Sequence, residues 1–144
     1  MTAPELPSVL IVDDTPTNIT LLAHALSERY RIRVATTGAL ALEICRAGDP
    51  PQLVLLDVMM PEMDGQEVCR RLKADPSTAG IPVLFVTGDT TVSSTDECLE
   101  AGGADCVSKP LHVGLLRRRI ETHLELARAR ERLAQLSGAP TPAP

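Results

Sequence analysis

Aromatic side chains are almost missing from this chain of 144 residues: Tyr30 and Phe85 are the only two, and tryptophan is absent. Any core must therefore be aliphatic. A surface that grips nucleobases or a flavin ring by stacking has little to work with. Positive charge is also in deficit: the formal net charge is -5, which makes neither nucleic acid nor an anionic membrane an electrostatic partner. No apolar run approaches the roughly 18 to 20 residues that span a bilayer. The stretch Met1–Pro7 lacks the basic start and apolar stretch of a secretion signal, so a soluble cytoplasmic protein is the expectation. Cys45, Cys69, Cys98 and Cys106 show neither a CxxC pair nor zinc-type spacing, and most fall in apolar-periodic segments. They are read as reduced core residues rather than as disulfides.

What the chain does contain is ordinary globular composition, 44% hydrophobic and 23% charged, over a length that suits one domain. Five short apolar runs recur: Ser8–Val12, Arg31–Ala35, Leu53–Leu56, Pro82–Val86 and Asp105–Ser108. Three of them, VLIV, LVLL and VLFV, are apolar without alternation, as in strands covered on both faces. Helical patterns separate them, with shared faces at Ile19, Leu22 and Leu26, at Leu40, Ile44 and Ala47, and at Gly65, Val68 and Leu72. Thr15-Pro16 marks a helix start, Gly48-Asp49-Pro50-Pro51 ends the second helix, and Asp75-Pro76 ends the third. Alternating strand and helix implies right-handed crossovers and a parallel sheet, hence a doubly wound α/β fold.

The last helix, from His112 to about Leu136, is too long merely to cover a small sheet. Ile120, Leu124 and Ala127 form one stripe; Leu126, Ala129, Leu133 and Leu136 form another, which implies that the second half packs on something else. Six arginines alternate with Glu121, Glu125 and Glu131 along it, the pattern of a solvated helix face. The predicted organisation is a domain at 8–124, a helical extension at 125–137 and a Pro/Ala-rich linker or tail at 138–144. A homodimer through the extension is expected.

Polar residues follow the strands. Asp13 and Asp14 come after VLIV, Asp57 after LVLL, Thr87 after VLFV, and Lys109 after the fifth run. In a parallel sheet all strand C-termini share one edge, where open α/β folds bind ligands. With strand order 2-1-3-4-5, Asp57 sits between the acid pair and Thr87, and Lys109 reaches across. Three crowded carboxylates against one lysine call for a proton or a cation. Oxygen ligands from few side chains suit Mg²⁺. Aspartate serves as a phosphoryl nucleophile, and Thr87 and Lys109 are placed to hold phosphoryl oxygens.

These residues, with the loop Met59-Met60-Pro61-Glu62-Met63-Asp64-Gly65, Thr87-Gly88 and Lys109-Pro110, resemble the response-regulator receiver family over about Val9 to Leu124. The resemblance implies a flavodoxin-like fold and phosphorylation of Asp57 by a histidine kinase or phosphotransfer protein. It also implies Mg²⁺ on Asp14, Asp57 and the Met59 carbonyl, with Asp13 acting through water, and a cis Lys109-Pro110 bond. The extended final helix resembles connectors to output domains, including cyclic-dinucleotide enzymes.

One position departs from the pattern: Cys106 stands where receivers commonly carry an aromatic switch residue. Readout would then rest on Thr87, its loop and the fourth helix. Met59 either hinders hydrolytic water or packs over its loop, and Gly88 either keeps the pocket open or is a plain turn. His24, His112 and His123 are unclustered and indicate no metal site. A haloacid-dehalogenase-type phosphohydrolase is disfavoured because the acids are adjacent and Thr15 occupies the third position of its D-x-D arrangement. A flavin carrier lacks its phosphate loop and aromatics. A receiver-like interaction module that takes no phosphate should have lost an acid, the acceptor or the lysine, and all are present.

Overall fold

The computed structural model describes residues 6–88 and 92–136. The predicted linker at 138–144, and part of the loop after Thr87, fall outside the described residues. Strands and helices alternate without exception: β1 Ser8–Val12, α1 Pro16–Leu26, β2 Arg31–Ala35, α2 Gly38–Arg46, β3 Leu53–Asp57, α3 Gly65–Ala74, β4 Val83–Thr87, α4 Val92–Glu100, β5 Asp105–Ser108 and α5 Val113–Leu136. The five strands form one parallel sheet in the order β2-β1-β3-β4-β5, as expected for a doubly wound fold.

The non-alternating strands are the central ones. Every residue of β1, β3 and β4 is buried, because helices cover both faces of the sheet. On one face Leu10, Val12, Val54, Leu56 and Phe85 meet Leu42, Val68, Leu72 and Cys98 from α2, α3 and α4. On the other, Val9, Ile11, Leu53, Leu55 and Leu84 meet Leu22 and Leu26 of α1 and Leu116, Ile120 and Leu124 of α5. Each such aliphatic side chain contributes roughly 1.5–3 kcal/mol of burial, so two layers compensate for the scarcity of aromatics. All four cysteines are free. Burial pushes the Cys45, Cys69 and Cys106 thiols up to about 11, which keeps them protonated and unreactive at neutral pH.

Boundaries differ from expectation at three places. β4 runs Val83–Thr87 instead of Pro82–Val86. Proline has no N–H for the ladder, and Pro82 contributes only its carbonyl, which accepts from Val54 N at 3.0 Å. β3 extends to include Asp57. In α2 the buried face is Gly38, Ala41, Leu42 and Cys45; Leu40 is exposed, and Ala47 is already extended as the C-cap. Gly38 lets the start of α2 lie close against α3, since a Cβ there would come within 2.7 Å of Val68 Cγ2. Thr15 caps α1 by position but not by its side chain, whereas Thr37 and Asp64 accept from the backbone N–H groups of Leu40 and Glu67.

The two halves of α5 differ as their stripes predicted. Leu116, Ile120 and Leu124 are buried. Arg117 Nη2 donates to Ala25 O at 2.7 Å, and the buried Tyr30 hydroxyl donates to Glu121, fixing α5 beside the end of α1. Beyond Leu124 the stripe surfaces: Leu126 is 43% exposed, Leu133 66% and Leu136 78%. Ile120→Ala should therefore cost about 3 kcal/mol of stability in urea unfolding. In dilute solution Leu133→Ala should cost less than about 0.5 kcal/mol.

Candidate functional site at the carboxyl edge of the sheet

Each of the predicted site residues emerges at the same sheet edge. Asp13 and Asp14 leave the end of β1, where Asp13 N continues the pairing with β2 by donating to Ala35 O at 3.2 Å. Asp57 is the last residue of β3, in register with Val86 of β4, and Val58 N prolongs that ladder to Val86 O at 3.3 Å. Thr87 ends β4 opposite Ser108 and is buried. Its carbonyl accepts from Lys109 N at 2.8 Å, which ties the segment after β5 to the end of β4. The Lys109-Pro110 bond is cis, as the resemblance implies.

Asp13, Asp14 and Asp57 each offer a carboxylate oxygen, and these oxygens all lie within 4.8 Å of one another. Asp13 and Asp57 are buried while Asp14 is exposed. Lys109 Nζ stands 3.9 Å from Asp57 Oδ1, and Met59 N donates to the same oxygen at 3.2 Å. Burial pushes the Asp57 carboxyl above the usual carboxylate range, and Asp13 and Asp14 push it the same way. Lys109 and the Met59 N–H pull against them without prevailing. All the donors are hard oxygens, from a partly open cluster with room for water. That set matches a small divalent cation of the Mg²⁺ kind and does not match zinc, which favours nitrogen and sulfur.

Two contributors escaped the sequence reading. Asn18, in the first turn of α1, donates its amide to Asp13 Oδ2 at 3.2 Å, while Thr15 N donates to Asp13 Oδ1 at 2.9 Å. Asp13 is thereby held at both oxygens. The only available signal was the spacing of an amide one helical turn after Thr15-Pro16, where the helix start faces the strand end. The second is the crowding behind Asp57: a Cβ on Gly65 would come within 2.2 Å of Asp57 O. Gly65 N also donates to Val58 O at 3.0 Å, so α3 begins directly against the end of β3.

Of the remaining expectations, Met59 does not pack over its loop: its side chain is 76% exposed. Among the described residues, a Cβ at Gly88 would meet nothing within 4 Å. Cys106 packs against the same core layer as Cys98. His123 Nε2 lies 3.1 Å from Asp105 Oδ2, which also receives Arg119 at 2.9 Å, and His112 Nδ1 accepts from Leu115 N at 3.3 Å. Among the described residues, the aspartate trio is the one acidic, histidine or cysteine group arranged to hold a metal. No helix among them is long and apolar enough to cross a membrane.

Because the folded protein raises the Asp57 pKa, this group's stabilising contribution is present below its unfolded value and disappears as pH rises through the folded one. At neutral pH and without a divalent cation the ionised Asp57 therefore opposes folding. Asp57→Asn should raise the melting temperature in metal-free buffer at neutral pH, by about 4 °C for about 1 kcal/mol. Melting of both proteins between pH 3 and 8 should show the gap closing toward acid.

The model of the response regulator receiver domain family matches residues 9–121. A probable cyclic di-GMP phosphodiesterase of Vibrio cholerae is 44% identical over 124 residues, covering 86% of this chain and 28% of that protein. The response regulator PleD of Caulobacter vibrioides is 41% identical over 115 residues, covering 79% of this chain and 25% of that protein. The chain thus spans about a quarter of the length of these relatives. Among solved structures, the signal receiver domain of a signal transduction histidine kinase from Syntrophus aciditrophicus superposes with a TM-score of 0.76 at 33% identity, covering 83% of this chain and 90% of that one.

Proposed function

As the chain belongs to the response regulator receiver family, a family of phosphoacceptor switches in two-component signalling, we propose that its phosphoacceptor is Asp57 and that the reaction depends on Mg²⁺. The observation that carries this is the gathering of Asp13, Asp14 and Asp57 around one point, with Lys109 facing Asp57 Oδ1.

Asp57 Oδ1 is oriented by the Met59 N–H and Lys109, so Oδ2 is the attacking atom. It forms a P–O bond while the P–N bond of a phosphohistidine on the kinase or phosphotransfer partner breaks, and the imidazole takes up a proton. Lys109 and the Thr87 hydroxyl then bind the phosphoryl oxygens. Asp14, Asp57 and the Met59 carbonyl would hold Mg²⁺. Asp13, anchored at both oxygens by Thr15 N and Asn18, would act through a bridging water. When bound, the ion supplies charge neutralisation for the transferring phosphoryl group.

This chemistry makes the protein a switch that catalyses only its own phosphorylation and dephosphorylation. Phosphate on Asp57 draws Thr87 and the segment that follows it toward the phosphoryl group, which changes the face of α4. With Cys106 at the position of the usual aromatic, no large ring is available to report that change. In this reading residues 8–124 are the receiver and 125–137 the connector to an output domain. The likeness to a probable cyclic di-GMP phosphodiesterase makes a cyclic-dinucleotide enzyme one candidate output. The acidic net charge leaves nucleic acid and membranes out of the domain's own partners, and the cytoplasm is its compartment.

Incubation with acetyl phosphate and Mg²⁺ should add one phosphoryl group to the intact mass. Asp57→Asn and Mg²⁺-free samples should show no gain. Absence of any gain in the wild type, with a histidine-kinase donor as well, would favour an interaction module that takes no phosphate. The exposed Met59 side chain at the mouth should slow the approach of hydrolytic water, so Met59→Asn is expected to shorten the phosphate lifetime several-fold. An unchanged lifetime removes that role.

A further inference from the structure

Asp13 is tied down more firmly than the end of a strand requires. Its N–H donates to Ala35 O at 3.2 Å, which fixes its backbone to β2. Its Oδ1 accepts from Thr15 N at 2.9 Å, two residues on, in an Asx-type turn that leads the chain into α1. The Thr15 side chain makes no capping bond and the first turn of α1 holds no acid. The Asp13 carboxylate therefore acts as the cap of α1 from outside the helix.

The bond from Asn18 serves neither the strand nor the turn. Asn18 is half-buried in the first turn of α1, and its amide donates to Asp13 Oδ2 at 3.2 Å. The Thr15 bond alone already turns the chain into the helix, and it leaves the carboxylate able to pivot about Oδ1. Repulsion favours such a pivot, because oxygens of Asp13, Asp14 and Asp57 lie within 4.8 Å of one another. An amide opposes it by hydrogen bonding without adding charge, whereas a lysine or arginine there would compete with a cation for the cluster. Each Asp13 oxygen keeps a second lone pair after accepting one bond, so the tethered carboxylate can still face a cation or its water.

We propose that Asn18 is a positioning residue of the cation site. By holding Asp13 Oδ2 it keeps this carboxylate turned toward Asp14 and Asp57, and it thereby sets the affinity for Mg²⁺. This role rests on the Mg²⁺-dependent reading of the site given above. Hydrogen bonds that orient a metal's carboxylates are worth roughly ten- to a hundredfold in affinity. With the Thr15 bond retained, the lower end of that range applies.

Mg²⁺ binding is measured by calorimetry and by melting temperature, without any phosphoryl donor. Asn18→Ala and Asn18→Leu should each weaken it about tenfold. Both replacements are good helix formers, and helix content in metal-free buffer shows that the variants are folded. Labelling by acetyl phosphate should need about tenfold more Mg²⁺ for its half-maximal rate and still reach the wild-type rate at saturation. In an Asp13→Ala background, Asn18→Ala should change Mg²⁺ affinity by less than about twofold, because the bond it removes acts through Asp13. A lowered metal-free melting temperature with unchanged Mg²⁺ affinity would assign Asn18 to the start of α1 alone and overturn the proposal. A loss of full size that persists in the Asp13→Ala background would do the same. A wild type that binds no Mg²⁺ would remove the reading of the site together with this role. A wild type that binds Mg²⁺ no better than both Asn18 variants would remove this role and leave the site.

Discussion

Three carboxylates held within 4.8 Å of one another, two of them buried, form an arrangement that a protein does not keep without a reason. One lysine at 3.9 Å is too little charge to balance them. Burial first, and then repulsion from Asp13 and Asp14, hold the Asp57 proton more tightly than water would. Most of what surrounds the cluster maintains that congestion. Asn18 and Thr15 N keep Asp13 from turning away. The close packing of Gly65 on the Asp57 carbonyl fixes the backbone beneath that side chain. Lys109 N on Thr87 O holds the lysine over the crevice. The two aliphatic layers that bury β1, β3 and β4 on both faces hold the sheet edge that carries the cluster.

Strand order turns the crowding into a device. Because β3 lies between β1 and β4, Asp57 stands between the residues suited to a cation and the residues suited to a phosphoryl group. α5 is secured to the body by Arg117, Tyr30 and Glu121, and again by Asp105 with Arg119 and His123. It runs out of the domain as one uninterrupted helix.

Much of this was legible in the sequence, because parallel strands with both faces buried announce themselves as unbroken apolar runs, and the edge they share collects whatever follows them. Asp13, Asp14, Asp57, Thr87 and Lys109 could be gathered by topology alone. The two stripes of α5 likewise separated its buried half from its exposed one. What escaped was governed by contact geometry rather than by pattern. Asn18 is an unremarked amide until the turn of α1 aims it at Asp13. The buried face of α2 includes Gly38 and Ala41, which an apolar pattern passes over for their small size, while the larger Leu40 is exposed. Pro82 was counted into β4 for its company, although a residue without an N–H joins a parallel ladder poorly. Met59 could be given two opposite roles from the sequence, and its exposure removed one of them.

If the crowded carboxylates exist to be relieved by a cation, then the cation must stabilise the folded protein through them. The direct measurement is the melting temperature of the wild type against Mg²⁺ concentration, repeated with Asp57→Asn and Asp14→Asn. A saturable rise in the wild type is predicted, about 2.7 kcal/mol at about a hundred times the dissociation constant, and it should fall away in both variants. A melting temperature indifferent to Mg²⁺, or a rise that both variants retain in full, would contradict the account.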